Sequence, residues 1–123
     1  MKTKILLDTN FLLAPAQFKV DVFEEMKNFG EPVTLDVCIN ELKKLSKKKG
    51  NIGNEAKVAL LLVKKNNLKI LKSYKKRADF ALMDCAKKLG CTIATNDVKL
   101  IKALKNKEIK VIRLRQKKFL TMV

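Results

Sequence analysis

Short apolar runs alternate with amphipathic stretches along the 123 residues. Short segments rich in apolar residues and bounded by turn formers predict strands at 3–8, 33–37, 68–71, 91–95 and 109–114. Apolar positions at helical spacing predict helices at 20–29, 39–47, 55–66, 78–89 and 98–105. Gly30 and Gly90 fall just past two helix ends, where a left-handed glycine cap is expected, and Pro32 then opens the second strand. Lys47, Lys48, Lys49, Gly50 and Asn51 form a basic loop between two helices. Strands alternating with helices argue for a parallel sheet covered on both faces. The strands are near-continuously apolar, as burial on both sides requires. The pattern therefore predicts a single α/β domain over residues 1–123, Rossmann-like, with a parallel central sheet of about five strands.

Two of these strands end in a carboxylate set among Thr and Asn. Ile5, Leu6 and Leu7 lead into Asp8-Thr9-Asn10, and the run from Cys91 leads into Thr95-Asn96-Asp97. In a parallel sheet the carboxyl ends of strands open onto the crevice where ligands sit. Either acid could equally serve as a helix cap, a role for which Asp is well suited. Two of them meeting in that crevice call for a cation.

Composition sharpens this. Lys and Arg total 28 against 12 Asp and Glu, a net charge of +16. An excess of that size favours contact with phosphate backbones over a merely solvated basic surface. Histidine is absent. That removes Ser-His and Cys-His nucleophile pairs, imidazole ligands and paired-His phosphodiester chemistry, leaving carboxylates and metal. The three cysteines lack C-x-x-C spacing and sit in apolar segments, so reduced, buried thiols are expected. The longest apolar run, residues 58–63, is far short of the roughly 20 residues a membrane span needs. Apolar character near Lys2 and Lys4 stops at Asp8, unlike a signal peptide, so a cytoplasmic protein is expected.

The other acids separate by geometry. On the helix over 78–89, Ala78, Ala81, Leu82, Cys85 and Leu89 form the apolar stripe. Asp79 flanks that stripe at the end nearest the crevice. Asp84 points about 140° away from Asp79, opposite the stripe and beside Lys87 and Lys88, where ordinary pairing explains it. Asp79 is therefore favoured over Asp84. Glu41 borders the buried face of its own helix, and its spacing leaves function and solvation equally open. Asp36 is expected to cap that helix, and the remaining acids lie on polar faces.

Three or four oxygen ligands from separate elements suit Mg²⁺ or Mn²⁺, which keep several waters and bind with help from substrate phosphate. Thr9, Asn10, Thr95 and Asn96 carry groups able to orient such carboxylates or water. Lys75, Lys76 and Arg77 precede Asp79 directly; Lys43, Lys44, Lys47, Lys48 and Lys49 extend the helix that carries Glu41. Arg113, Arg115, Lys117 and Lys118 form a further basic cluster. Aromatics make up 6% of the chain, and Tyr74 is the candidate for stacking on a base.

Asp8-Thr9-Asn10 after an apolar strand, Glu41 after a second strand, Ala78-Asp79 opening a helix and Ala94-Thr95-Asn96-Asp97 together resemble the PIN-domain nucleases. The motifs stand in register across essentially the whole chain. The resemblance implies a Mg²⁺- or Mn²⁺-dependent endoribonuclease acting on single-stranded RNA, with Asp8, Glu41, Asp79 and Asp97 as its acidic quartet. It is the resemblance that adds Glu41. The segment from Asp8 to Pro15 looks more like archaeal relatives of the small-subunit rRNA-processing PIN nuclease than like VapC-type toxins, which would make pre-rRNA a substrate and ribosome assembly the setting. PIN domains often form homodimers, for which residues 58–63 or the tail 119–123 offer apolar surface. Two other readings compete: an RNA-binding module with little activity, and a toxin ribonuclease held by an antitoxin.

Overall fold

The structure is a computed structural model that describes residues 3–123; Met1 and Lys2, the first residues of the expected domain, lie outside it. Among the described residues six strands form one sheet: β1 (Lys4–Leu7), β2 (Glu31–Leu35), β3 (Lys69–Leu71), β4 (Thr92–Ala94), β5 (Val111–Arg115) and β6 (Phe119–Met122). Six helices accompany them: α1 (Thr9–Phe18), α2 (Val22–Met26), α3 (Asp36–Ser46), α4 (Asn51–Lys65), α5 (Ala78–Leu89) and α6 (Val98–Asn106). The strand order is β3-β2-β1-β4-β5-β6. The first five are parallel, and β6 returns antiparallel along β5. The expected α/β architecture is therefore present, with one strand more than the pattern predicted.

The core explains the central strands. Ile5, Leu6, Leu7, Val33, Leu35, Ile93 and Val111 are completely buried, as strands covered on both faces demand. Thr34, buried among them, satisfies its hydroxyl by donating to the Leu7 carbonyl at 2.9 Å. Helices α1, α3 and α4 pack on one another, while α5 contacts β4 and α6 contacts β5. Among the described residues no helix is long and apolar enough to cross a membrane. The three cysteines are free thiols, Cys38 and Cys91 buried and Cys85 half-buried.

Several local expectations change. Residues Thr9–Phe18, which the pattern left without an element, form helix α1. Phe11 to Pro15 are all buried there, so the apolar surface wraps the helix and shows no amphipathic period. Lys19, in the left-handed region at φ 54°, ends it. The helix expected over 20–29 shrinks to α2, and α4 starts at Asn51 instead of Glu55. Gly90 caps α5 at φ 66°, as expected. Gly30 does not cap a helix. A Cβ there would lie 2.2 Å from the Thr3 carbonyl oxygen, so glycine is needed for the close approach of β2 to β1. The tail proposed as an interface is partly consumed as β6, where Leu120 is buried and Phe119 and Met122 stay exposed.

Candidate active site

Strand β1 is the hinge of the topology: from it the chain builds outward to β2 and β3, then crosses back to β4 and β5 on its other side. Such a reversal leaves a crevice at the carboxyl ends of the strands. The register pairs Leu7 with Ala94, so the next residues, Asp8 and Thr95, emerge side by side into that crevice. The Asp8 amide donates to the Ala94 carbonyl at 3.2 Å, which fixes the alignment. A cleft of about 340 Å³ opens there, lined by Asp8, Asn10, Glu41, Asp79 and Asp97 with Lys76 and Arg77 at its edge. Four acids from four separate segments thus share one cleft.

Each acid is held by its neighbours. Asp8 caps α1, accepting from the Phe11 amide at 2.7 Å through Oδ1, while its Oδ2 accepts from the Thr95 hydroxyl. Asp97 caps α6, its Oδ1 accepting from the amides of Lys99 and Leu100 at 3.0 and 3.4 Å. Capping and cleft lining are therefore not alternatives for these two residues. The Thr95 hydroxyl also accepts from the Asp97 amide at 3.1 Å, so one side chain ties both acids together. Thr9 donates to Glu41 Oε2 at 2.8 Å, linking the first turn of α1 to α3. Asp79 stands in the first turn of α5, and Leu82, one turn further and fully buried, floors the cleft.

Asp8 is the buried member, 7% exposed, whereas Glu41, Asp79 and Asp97 are exposed. Burial pushes its carboxyl up from the ordinary 3.8 to about 6, and the charges of Asp97 and Asp79 add to that rise. The bonds from Thr95 and Phe11 oppose it without cancelling it. Beneath the cleft, burial holds the Cys38 thiol up at about 11, which leaves it un-ionised and inert. Among the described residues no three side chains converge as a ready-made metal cage.

The remaining candidates divide. Asn96 turns away from the acids; its Oδ1 accepts from the Leu114 amide at 2.7 Å and anchors the β4–α6 turn to β5. Lys43, Lys47 and Lys48 are exposed on and beyond α3 and do not line the cleft. Lys75 lines an adjoining groove instead. Asp84 pairs with Lys88 at 3.2 Å and does not line the cleft. Asp36 does not act as the expected cap: it is the first residue of α3, and its Oδ1 accepts from the amides of Val37 and Ser73. It thereby pins the segment leading to Lys75, Lys76 and Arg77. Tyr74, the aromatic favoured from the sequence, lies between Lys72 and Lys88, 6.0 Å from each, outside the cleft.

The sequence model of the family described as PIN like domain matches residues 5–117. The chain belongs to the PIN-like domain family. The matched stretch includes all four cleft acids and stops short of β6. Ribonuclease VapC4 of Methanocaldococcus jannaschii is 34% identical over 122 residues, covering 94% of this chain and 93% of its own. The PIN domain endonuclease Utp24 superposes with a TM-score of 0.79 at 25% identity, over 97% of this chain and 90% of its own. A VapBC-1 structure from nontypeable Haemophilus influenzae has the same fold, with a TM-score of 0.52 at 15% identity, over 89% of this chain and 96% of the compared one.

Proposed function

We propose that this PIN-like chain is a divalent-metal-dependent endoribonuclease that cleaves single-stranded RNA at the Asp8–Glu41–Asp79–Asp97 cleft. The observation that carries it is Asp8: a carboxyl nine-tenths buried, crowded by two further acids, with no histidine in the chain to share the chemistry. A donor set made only of oxygen fits Mg²⁺ or Mn²⁺, and acids that repel one another gain by holding a cation. Asp8, Glu41, Asp79 and Asp97 line the cleft that would hold the cation, bound directly or across water. A bound cation lowers the pKa of water and neutralises charge on the leaving oxygen.

The protein's own part is positioning. Thr95 and the Phe11 amide fix Asp8, the α6 amides fix Asp97, and Thr9 orients Glu41. Lys76 and Arg77 at the cleft edge draw in the phosphate, and the overall charge of +16 attracts the polyanion from further away. Cleavage of a single-stranded oligoribonucleotide with Mn²⁺ should vanish in Asp97→Asn and Glu41→Gln while RNA binding persists. Undiminished cleavage by either folded variant overturns the assignment. Binding without any cleavage by the wild-type chain supports the RNA-binding module instead.

For the biological role, the resemblance of the Asp8 to Pro15 segment to rRNA-processing PIN nucleases supports ribosomal RNA processing in the cytoplasm, with ribosome-assembly partners. The likeness to the PIN domain endonuclease Utp24 over 97% of the chain supports endonucleolytic cleavage. The identity with Ribonuclease VapC4 over nearly the full length supports a VapC-type enzyme with an antitoxin partner. A neighbouring short antitoxin gene decides for the second, and an isolated gene for the first. Exposed Val58 and Leu61 on α4 are the surface on which a homodimer would form, which sedimentation of the pure chain tests.

A further inference from the structure

Helix α5 has a second working face. Asp79 and Leu82 look into the acidic cleft, while Phe80, Met83, Asp84 and Lys87 line a separate groove of about 480 Å³ on the adjoining side. Lys76 and Arg77 border both, so the two depressions adjoin at these residues. The groove has an apolar floor of Phe80 and Met83 and a basic rim of Lys75, Lys76, Arg77, Lys87 and Lys107. Its single acid, Asp84, is already paired with Lys88. Phe80 remains 55% exposed although the Arg77 guanidinium lies 5.0 Å from its ring centre. An exposed aromatic ring inside a cationic frame matches a nucleotide, whose base is flat and apolar on its faces and whose phosphates are anionic.

We propose that this groove is a nucleotide subsite: Phe80 stacks one base of the RNA next to the scissile phosphate, with Lys75, Lys87 and Lys107 holding its backbone. It rests on the ribonuclease reading above for the identity of the occupant. The groove adjoins the cleft at Lys76 and Arg77, so the stacked base belongs to a nucleotide next to the cleft. Stacking accepts any base, so the subsite sets the position of the strand and not its sequence.

The chain contains no tryptophan, so Phe80→Trp installs a single reporter. Titrated without metal, its fluorescence is quenched by single-stranded oligouridylate and much less by an abasic ribose-phosphate oligomer of equal length. Phe80→Ala weakens oligouridylate binding roughly five- to tenfold, the low end for one stacked base. Phe80→Tyr restores it and Phe80→Leu does not; circular dichroism checks the fold of each. Unchanged affinity in Phe80→Ala, equal quenching by the abasic oligomer, or full rescue by leucine overturns the subsite. Quenching by polyglutamate as strong as by RNA makes the groove a protein-docking surface and also overturns it. If wild-type chain still cleaves the oligomer with Mn²⁺ in those cases, the ribonuclease reading stands alone; if wild-type chain binds no RNA, both fall.

Discussion

Replacing Asp8 by asparagine should make the protein more stable and inactive at once. In the fold the Asp8 carboxyl titrates near 6, against 3.8 in an open chain. Between these values the folded state holds more proton than the unfolded one, so stability falls as pH rises through that window. Above it the full penalty applies. At about 1.4 kcal/mol per pH unit, the displacement corresponds to about 3 kcal/mol. The substituted asparagine carries no such penalty, and its Oδ1 keeps the bond from the Phe11 amide. Its amide group would face the Thr95 hydroxyl, which then loses an acceptor at a loss of about 1 kcal/mol. A net gain of about 2 kcal/mol should raise the melting temperature by roughly 6–10 °C in a domain of this size. The assay is thermal unfolding of both proteins in chelator from pH 4 to 8. The gap should be widest above pH 7, shrink as pH falls and reverse sign near pH 4, where the penalty on Asp8 has gone and the lost Thr95 bond remains. An Asp8→Asn protein less stable than wild type at pH 7.5, or a gap that stays flat with pH, refutes the reasoning.

Other consequences can be checked in parallel. Thr95→Val removes the bond that lowers the Asp8 pKa, so the acid limb of the cleavage–pH profile should move to higher pH. Mn²⁺ at saturating concentration should raise the melting temperature of the wild-type chain and leave Asp8→Asn nearly unmoved, since only a site that binds the cation gains from it. Asp79→Asn should abolish cleavage while Asp84→Asn leaves it intact and changes stability by about 0.5 kcal/mol or less, the scale of an exposed ion pair. Gly30→Ala should destabilise the fold by roughly 1–3 kcal/mol or more, because its methyl would meet the Thr3 carbonyl; chemical denaturation measures it.

What was legible in the sequence follows from how directly each element advertises its environment. The central strands are apolar on both faces, so Ile5 to Leu7 and the run before Thr95 announced themselves and also located their carboxyl ends. Helix α5 is amphipathic, and its period alone separated Asp79 from Asp84. Helix α1 hid because Phe11 to Pro15 are buried on every side and include a proline. Strand β6 hid because its turn has no Asn-Gly or similar signal: Gln116 and Lys117 take the left-handed conformation at φ 53° and 57° unaided by glycine. Glu41 was undecidable from spacing because its place depends on a bond from Thr9, 32 residues away. Phe80 was passed over for Tyr74 because only the tertiary fold shows which exposed ring lines the groove beside the cleft.

The contact between Thr95 and Asp8 joins residues 87 positions apart, and β4, which delivers it, inserts between strands made at opposite ends of the chain. Closing so long a loop makes this pairing one of the slower events of folding. During synthesis, a nascent chain that has not yet released β4 holds Asp8, Glu41 and Asp79 without Asp97 and without the hydroxyl that binds two of the acids together. The cleft thus comes into being only when nearly the whole protein has left the ribosome.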